Sequence, residues 1–278
     1  MKLFLQIVFA ICVVCAVVAC TNEKVYRIGV SQCGAGQWRD KVNQEMLAAQ
    51  HLYEQNAKVT IACAYDDTER QIRQIDSLVE SGIDLLVVAP NVAEPVTEAI
   101  VRASQAGIPV IYFDRKAATD DYTAFIGGNN VEAGYTVGTY ALELAHGISG
   151  RKPLVLEITA TMGTTPARER HEGFQQAMQG HDEVEYVCEF SDWSSEQADT
   201  IMQQYIASGR VPDIVFCHND GMATGAYKAV AEAQADSSLF TLHSSLPLIL
   251  GIDGLPGEGI EYVQFGHQVG SYVYPTHG

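Results

Sequence analysis

An acid and a base stand side by side at the end of a short apolar run, Ile-Pro-Val-Ile-Tyr-Phe at 108–113 followed by Asp114 and Arg115. A carboxylate accepts hydroxyl hydrogens, and a guanidinium offers a planar fork of donors. Together they suit a small polyhydroxylated ligand better than a hydrophobic one. A surface ion pair in a loop is the competing reading of this dipeptide alone. The same residue types recur at the ends of other apolar runs: Gly34 to Trp38, Asn91, the stretch 161–170, Asp192-Trp193, His218-Asn219-Asp220 and Asp253-Gly254. Aromatic rings cover the apolar faces of a sugar ring, while planar polar groups bond its hydroxyls. Both tryptophans of the chain, Trp38 and Trp193, fall at such ends.

The elements that must carry these residues are read from the hydrophobic period. Strands are expected at 25–30, 59–64, 84–89 and 108–113, with helices at 38–53, 72–79 and 96–106 between them. After a short run at 123–126 and a helix at 131–145 the pattern restarts. Strands are expected at 154–159, 184–190, 213–217, 246–252 and 270–274, with helices at 168–179, 198–207 and 222–233. Buried strands alternating with helices predict α/β architecture: two doubly wound parallel-sheet lobes with a cleft between them. Ligands in such sheets bind outside the carboxyl ends of the strands, where the candidate residues lie. The predicted lobes are 24–127 and 128–274.

Composition excludes some functions. The chain has 278 residues, with 34 acids against 17 bases and no Lys/Arg cluster, so no nucleic-acid partner is expected. Residues 1–20 hold one lysine and a nearly unbroken apolar run that ends Val17-Val18-Ala19-Cys20. That pattern predicts an export signal, with Cys20 as a lipidated residue or the segment as an uncleaved anchor, either of which tethers the chain to a membrane. Of the remaining cysteines, Cys33, Cys63, Cys188 and Cys217, none has zinc-like spacing, and no disulfide is required.

Competing chemistries find little support. Gly34-Ala35-Gly36-Gln37-Trp38-Arg39 opens like a dinucleotide fingerprint but carries Arg39 where the third glycine belongs. His171-Glu172 begins a zincin-like motif whose second histidine position is Gln175. No Gly-x-Ser-x-Gly elbow is present, and nothing selects a glycosidase pair from among the acids. No enzymatic activity, cofactor or metal is expected.

Taken together, Asp114-Arg115, Asn129 to Gly134, Ala167 to Phe174, Asn219 to Ala223 and Gly251-Ile252-Asp253-Gly254 resemble the type I periplasmic sugar-binding proteins, near the ribose-binding group. Among these the chain looks most like Bacteroidetes members, some free and some built into sensor kinases. The resemblance implies a hinged, two-lobed fold that closes on a pentose or hexose, partnered by a membrane permease of the ABC type or by a sensor-kinase module. It assigns hydroxyl contacts to Asp114 and Arg115 from the first lobe, with Asn91 nearby in the binding site, and to Arg168, Asn219 and Asp253 from the second. Trp38 and Trp193 would stack on the sugar, and Asn130 would face the cleft at the first crossover. Arg168 is the expected clamp, in preference to Arg170 on the same helix. Tyr274 stands where the family carries a glutamine at the third crossover. Turn chemistry is the alternative for Asn129-Asn130 and Asp253-Gly254, and a solvated helix pair for Arg168 and Glu172. Two departures from the family pattern are the segment 234–248, unlike the usual short basic connector, and the end of the chain at 275–278. There the return to the first lobe is expected to begin, with the remainder missing.

Overall fold

The computed structural model describes residues 24–52, 56–235 and 246–276. The expectations for residues 1–20, Cys20 included, lie outside these, as do residues 236–245 of the atypical segment. No helix among the described residues is long and apolar enough to cross a membrane.

The first lobe is built from β1 (Tyr26–Gln32), α1 (Gln37–Leu52), β2 (Ala57–Cys63), α2 (Thr68–Glu80), β3 (Leu85–Val88), α3 (Ala93–Gln105), β4 (Val110–Phe113) and β5 (Ala124–Ile126). Its strands pair in parallel in the order β2-β1-β3-β4-β5. The second lobe follows with α4 (Asn130–His146), β6 (Leu154–Thr159), α5 (Thr165–Met178), β7 (Glu185–Phe190), α6 (Ser195–Ala207), β8 (Ile214–Cys217), α7 (Asp220–Ala235), β9 (Leu248–Asp253) and β10 (Gly270–Val273). Its order is β10-β9-β8-β6-β7, again parallel throughout. Read from β7, the second sheet repeats the strand order of the first. The α/β architecture of two doubly wound parallel sheets expected from the sequence is the one observed.

Parallel strands are covered by helices on both faces, so they read as continuous apolar runs. Every residue of β6 and β8 is buried. One core cluster of the second lobe gathers Leu156, Ile158, Met202 and Met222, and another gathers Phe174, Phe216 and Ile252. In the first lobe Ile75, Leu86, Ile100 and Tyr112 are fully buried. A short π-turn at Pro256–Ile260, followed by α8 (Glu261–Gln264), lies in a stretch where the sequence reading placed no element.

The contact that matters most for the site joins α4 to α5. A Cβ on Gly134 would fall 2.0 Å from the Arg170 carbonyl oxygen, and one on Gly173 would fall 2.0 Å from that of Val131. Only glycine lets the two backbones meet this closely. α5 also begins at Thr165, three residues before its expected start, with Pro166 in the first turn where its missing N–H costs nothing.

Candidate functional site

The strand ends and helix starts of both lobes converge on a cavity of about 220 Å3. Trp38, Arg39, Asp114 and Arg115 line it from the first lobe; Arg170, Trp193, Asn219, Asp253, Glu258 and Tyr274 line it from the second. An adjoining compartment of about 480 Å3 shares Arg39, Arg115 and Trp193 and adds Asp66, Asn91 and Asp192. The smaller space holds the denser set of buried charges, and we take it as the centre of the site.

One carboxylate from each lobe is held in an unusual backbone conformation. Asp114, just past β4, has φ 62°, and Asp253, the last residue of β9, has φ 135°. Backbone strain of this kind in a non-glycine residue clusters at ligand sites. Asp114 pairs with Arg39, and its Oδ2 lies 3.8 Å from Arg115 Nε. Burial opposes its charge, but Arg39, Arg115 and Arg170 together hold the Asp114 carboxyl below the usual carboxylate range. Burial pushes the Asp253 carboxyl well above that range; Arg170 opposes the shift, and the nearby acids Asp220, Asp114 and Glu258 add to it. The cleft therefore holds one firmly ionised acid and one poised to bond hydroxyls in either form.

The arginines are positioned from behind. Arg115 Nη1 donates to the Asn91 carbonyl at 3.1 Å, and its guanidinium lies 5.1 Å from the Trp193 ring centre. Arg170 Nε donates to Asn130 Oδ1 at 2.9 Å, and its Nη1 bonds the His218 carbonyl. The same guanidinium lies 4.7 Å from the Tyr274 ring and 5.6 Å from that of Trp193. Asp220, at the start of α7, accepts from Gly254 N and Ser271 Oγ at 2.7 Å each, which fixes the turn after Asp253. Four buried donors, Trp38 Nε1, Arg39 Nη1, Arg115 Nε and Trp193 Nε1, have no hydrogen-bond partner among the described residues. Buried donors left in this state mark where acceptors of a ligand belong.

Of the residues proposed from sequence, Trp38, Asp114, Arg115, Trp193, Asn219, Asp253 and Tyr274 line the cavity together. Three take other places. Arg168 is exposed on the outer face of α5, and the buried Arg170 occupies the cavity wall instead. The two side chains point about 200° apart on a helix of 3.6 residues per turn, so only one can face inward. Close packing on α4 turns the Arg170 face in, along with Ala167, Phe174 and Ala177. Asn130, 1% exposed, stands behind the wall; its Oδ1 orients Arg170, and its Nδ2 donates to the Tyr274 hydroxyl at 3.1 Å. Asn91 lines the adjoining compartment, where its Nδ2 is used by Asp66 O and Thr68 Oγ1.

Sequence reasoning missed Arg39 and Glu258 as wall residues. Arg39 entered only as the residue that breaks a dinucleotide fingerprint. Its position one residue after a strand-end tryptophan on a helix start was the available signal. Glu258 lies on the π-turn, for which the sequence offers no period.

Two equivalent α/β lobes that face a charged, tryptophan-walled cavity define a two-lobed binding protein of the periplasmic type. A family model described as periplasmic binding protein domain matches residues 28–278, and the chain belongs to that family. It is 31% identical to the ribose import binding protein of Salmonella typhimurium over 188 residues, which is 67% of this chain and 59% of that protein. The chain thus spans less than two thirds of that relative's length. Among solved structures it resembles the fructose binding periplasmic domain of a hybrid two component system, with TM-score 0.82 and 35% identity over 90% of this chain and 80% of that one. It also resembles the arabinose-transporter binding protein of Shewanella sp. ANA-3 bound to L-arabinofuranose, with TM-score 0.73 and 25% identity over 83% of this chain and 75% of that one.

Proposed function

We propose that the cleft binds one monosaccharide, a pentose or hexose, between lobes 24–127 and 128–274 that close on it by a hinge motion about the crossovers. The observation that carries this reading is the wall itself: two tryptophans and three arginines, with unpartnered buried donors, beside the carboxylates of Asp114 and Asp253. Trp38 and Trp193 cover the ring faces. Asp114, Arg115, Arg170, Asn219 and Asp253 take the hydroxyls, while Asn91, Asn130 and the Tyr274 hydroxyl hold the wall. Arg39 charges Asp114 and adds a donor of its own.

The protein works outside the cytoplasm, tethered through its N-terminal segment, and delivers sugar to an ABC-type permease. A second reading, the sensor domain of a hybrid two-component receptor, is favoured by the 35% identity to such a domain over 90% of the chain. An exported sugar-acting enzyme is the least supported reading, since binding proteins alone are among the relatives cited above. Thermal unfolding with a panel that begins with ribose, fructose and arabinose tests the proposal. A ligand at a hundred times its Kd adds about 2.7 kcal/mol, a shift of roughly 5–11 °C for a chain near this size. A folded protein whose transition no monosaccharide moves would overturn it.

A further inference from the structure

A glutamate sits in the middle of a strand that is otherwise apolar or hydroxylic, Leu-Val-Leu-Glu-Ile-Thr in β6, and is fully buried. The β6–β7 register sets Glu157 directly beside Cys188. From α5, His171 reaches over both: its Nδ1 lies 2.9 Å from Glu157 Oε2 and 3.9 Å from Cys188 Sγ. Tyr186, two residues before Cys188 on the same face of β7, also bonds Glu157 Oε2. A carboxylate oxygen, an imidazole nitrogen and a sulfur thus lie within 4.8 Å of one another. None of these residues lines the sugar cleft.

We propose that Glu157, His171 and Cys188 form a binding site for a divalent transition-metal ion of the zinc type. Zinc binds sulfur at about 2.3 Å and nitrogen or oxygen at about 2.0–2.2 Å, so tetrahedral ligands lie on the order of 3–4 Å apart. The observed separations of 2.9 and 3.9 Å lie near the two ends of that span, and the third, from the Glu157 carboxylate to Cys188 Sγ, is within 4.8 Å, so a side-chain adjustment closes the set. The mixture of one sulfur, one nitrogen and one oxygen donor favours zinc over the oxygen-seeking magnesium and calcium. Cys188 binds as thiolate and releases its S–H proton to solvent. His171 binds through Nδ1 with its ring proton on Nε2, and the carboxylate brings the second negative charge. A water or the Tyr186 hydroxyl takes the fourth position. β7 is an edge strand, and the half-buried Cys188 and His171 lie close under the surface beside the exposed Phe190. An ion therefore reaches the site without opening the lobe. The sequence shows no metal motif because the three ligands come from a strand, a helix and a second strand.

The test is a Co2+ titration of the whole chain, read by its near-ultraviolet thiolate-to-cobalt absorption band, followed by displacement with Zn2+. The band should saturate at one ion per chain and bleach with Zn2+. It should vanish in Cys188→Ser, weaken at least about tenfold in affinity in His171→Gln, and persist in His146→Ala. That last variant cripples an exposed cluster of His146, His181 and Glu183, which has no sulfur. Glu157 is left unaltered, because its Oε1 also holds His218, whose carbonyl supports Arg170. No band in the wild-type protein overturns the proposal. So does a band that survives in Cys188→Ser, which would belong to another cysteine, or one lost in His146→Ala.

Discussion

Replacing Arg170 and Arg168 separately by alanine asks which of two arginines on one helix grips the ligand. Arg170 is 3% exposed, with Nε and Nη1 both bonded to the protein, so its plane is fixed over the cavity before any ligand arrives. If it gives two charge-assisted bonds to hydroxyls, at about 1.5–3 kcal/mol each, Arg170→Ala loses about 3–6 kcal/mol of binding. That is on the order of a hundred- to ten-thousand-fold in Kd. Arg168 is exposed, and its removal should change binding by no more than about 0.5 kcal/mol, roughly twofold. Arg170→Ala also orphans Asn130 Oδ1 and the His218 carbonyl, so the unliganded protein should lose about 1 kcal/mol for each bond. A melting temperature would mix the two effects. Isothermal calorimetry with the best sugar, well below the transition, separates them. Tenfold weakening in Arg168→Ala together with near wild-type binding in Arg170→Ala would refute the placement.

Asp253→Asn should raise the melting temperature of the unliganded protein at neutral pH and weaken sugar binding. Its folded carboxyl titrates above its unfolded value, so Asp253 costs stability progressively as pH rises from the ordinary carboxylate range through the folded pKa. The advantage of asparagine should therefore fade as the pH is lowered to about 2–3, below the unfolded carboxyl pKa of about 3.9, where the acid is largely neutral in both states, and a pH-independent difference would contradict this. Asp114→Asn leaves Arg39 as a buried charge without its carboxylate and should cost about 3–5 kcal/mol in urea unfolding. Asp114→Ala should cost about 1 kcal/mol more, because alanine does not share the tolerance of Asp and Asn for positive φ. Gly173→Ala forces α5 away from α4 and should cost about 1–3 kcal/mol or more. It should also weaken sugar binding, which the surface variant Gly180→Asn, at φ 84° with open space around its Cα, should leave alone.

The fold was legible because most strands of the sheets are largely apolar and end at polar residues, and the helices up to α7 show their period, whereas α8 and the π-turn before it do not. The wall residues at strand ends were legible for the same reason: the end of an apolar run fixes where a side chain emerges. Arg168 shows where motif matching departs from helix geometry. Ala167, Phe174 and Ala177 mark the inward face of α5, and Arg170 falls three residues after the first of them. The periodicity thus already pointed to Arg170. Asn130 and Asn91 were placed in the right neighbourhood, but a sequence cannot say whether an amide meets the ligand or the residue behind it. Glu157, His171 and Cys188 are 14 and 17 residues apart in sequence. The parallel register of β6 and β7 sets Glu157 beside Cys188, and the packing of α5 on the sheet brings His171 over them. Glu258 depends on a π-turn that no hydrophobic period announces.

Both tryptophans of the chain line the same cavity, so emission excited selectively at tryptophan, apart from the 13 tyrosines, reports on the site. Titrating the protein with single monosaccharides while following tryptophan emission tests sugar binding between the lobes most directly. The account predicts a saturable change with one or two sugars, lost in Arg170→Ala and kept in Arg168→Ala. A folded protein whose emission responds to no monosaccharide, at concentrations up to the millimolar range, would contradict it.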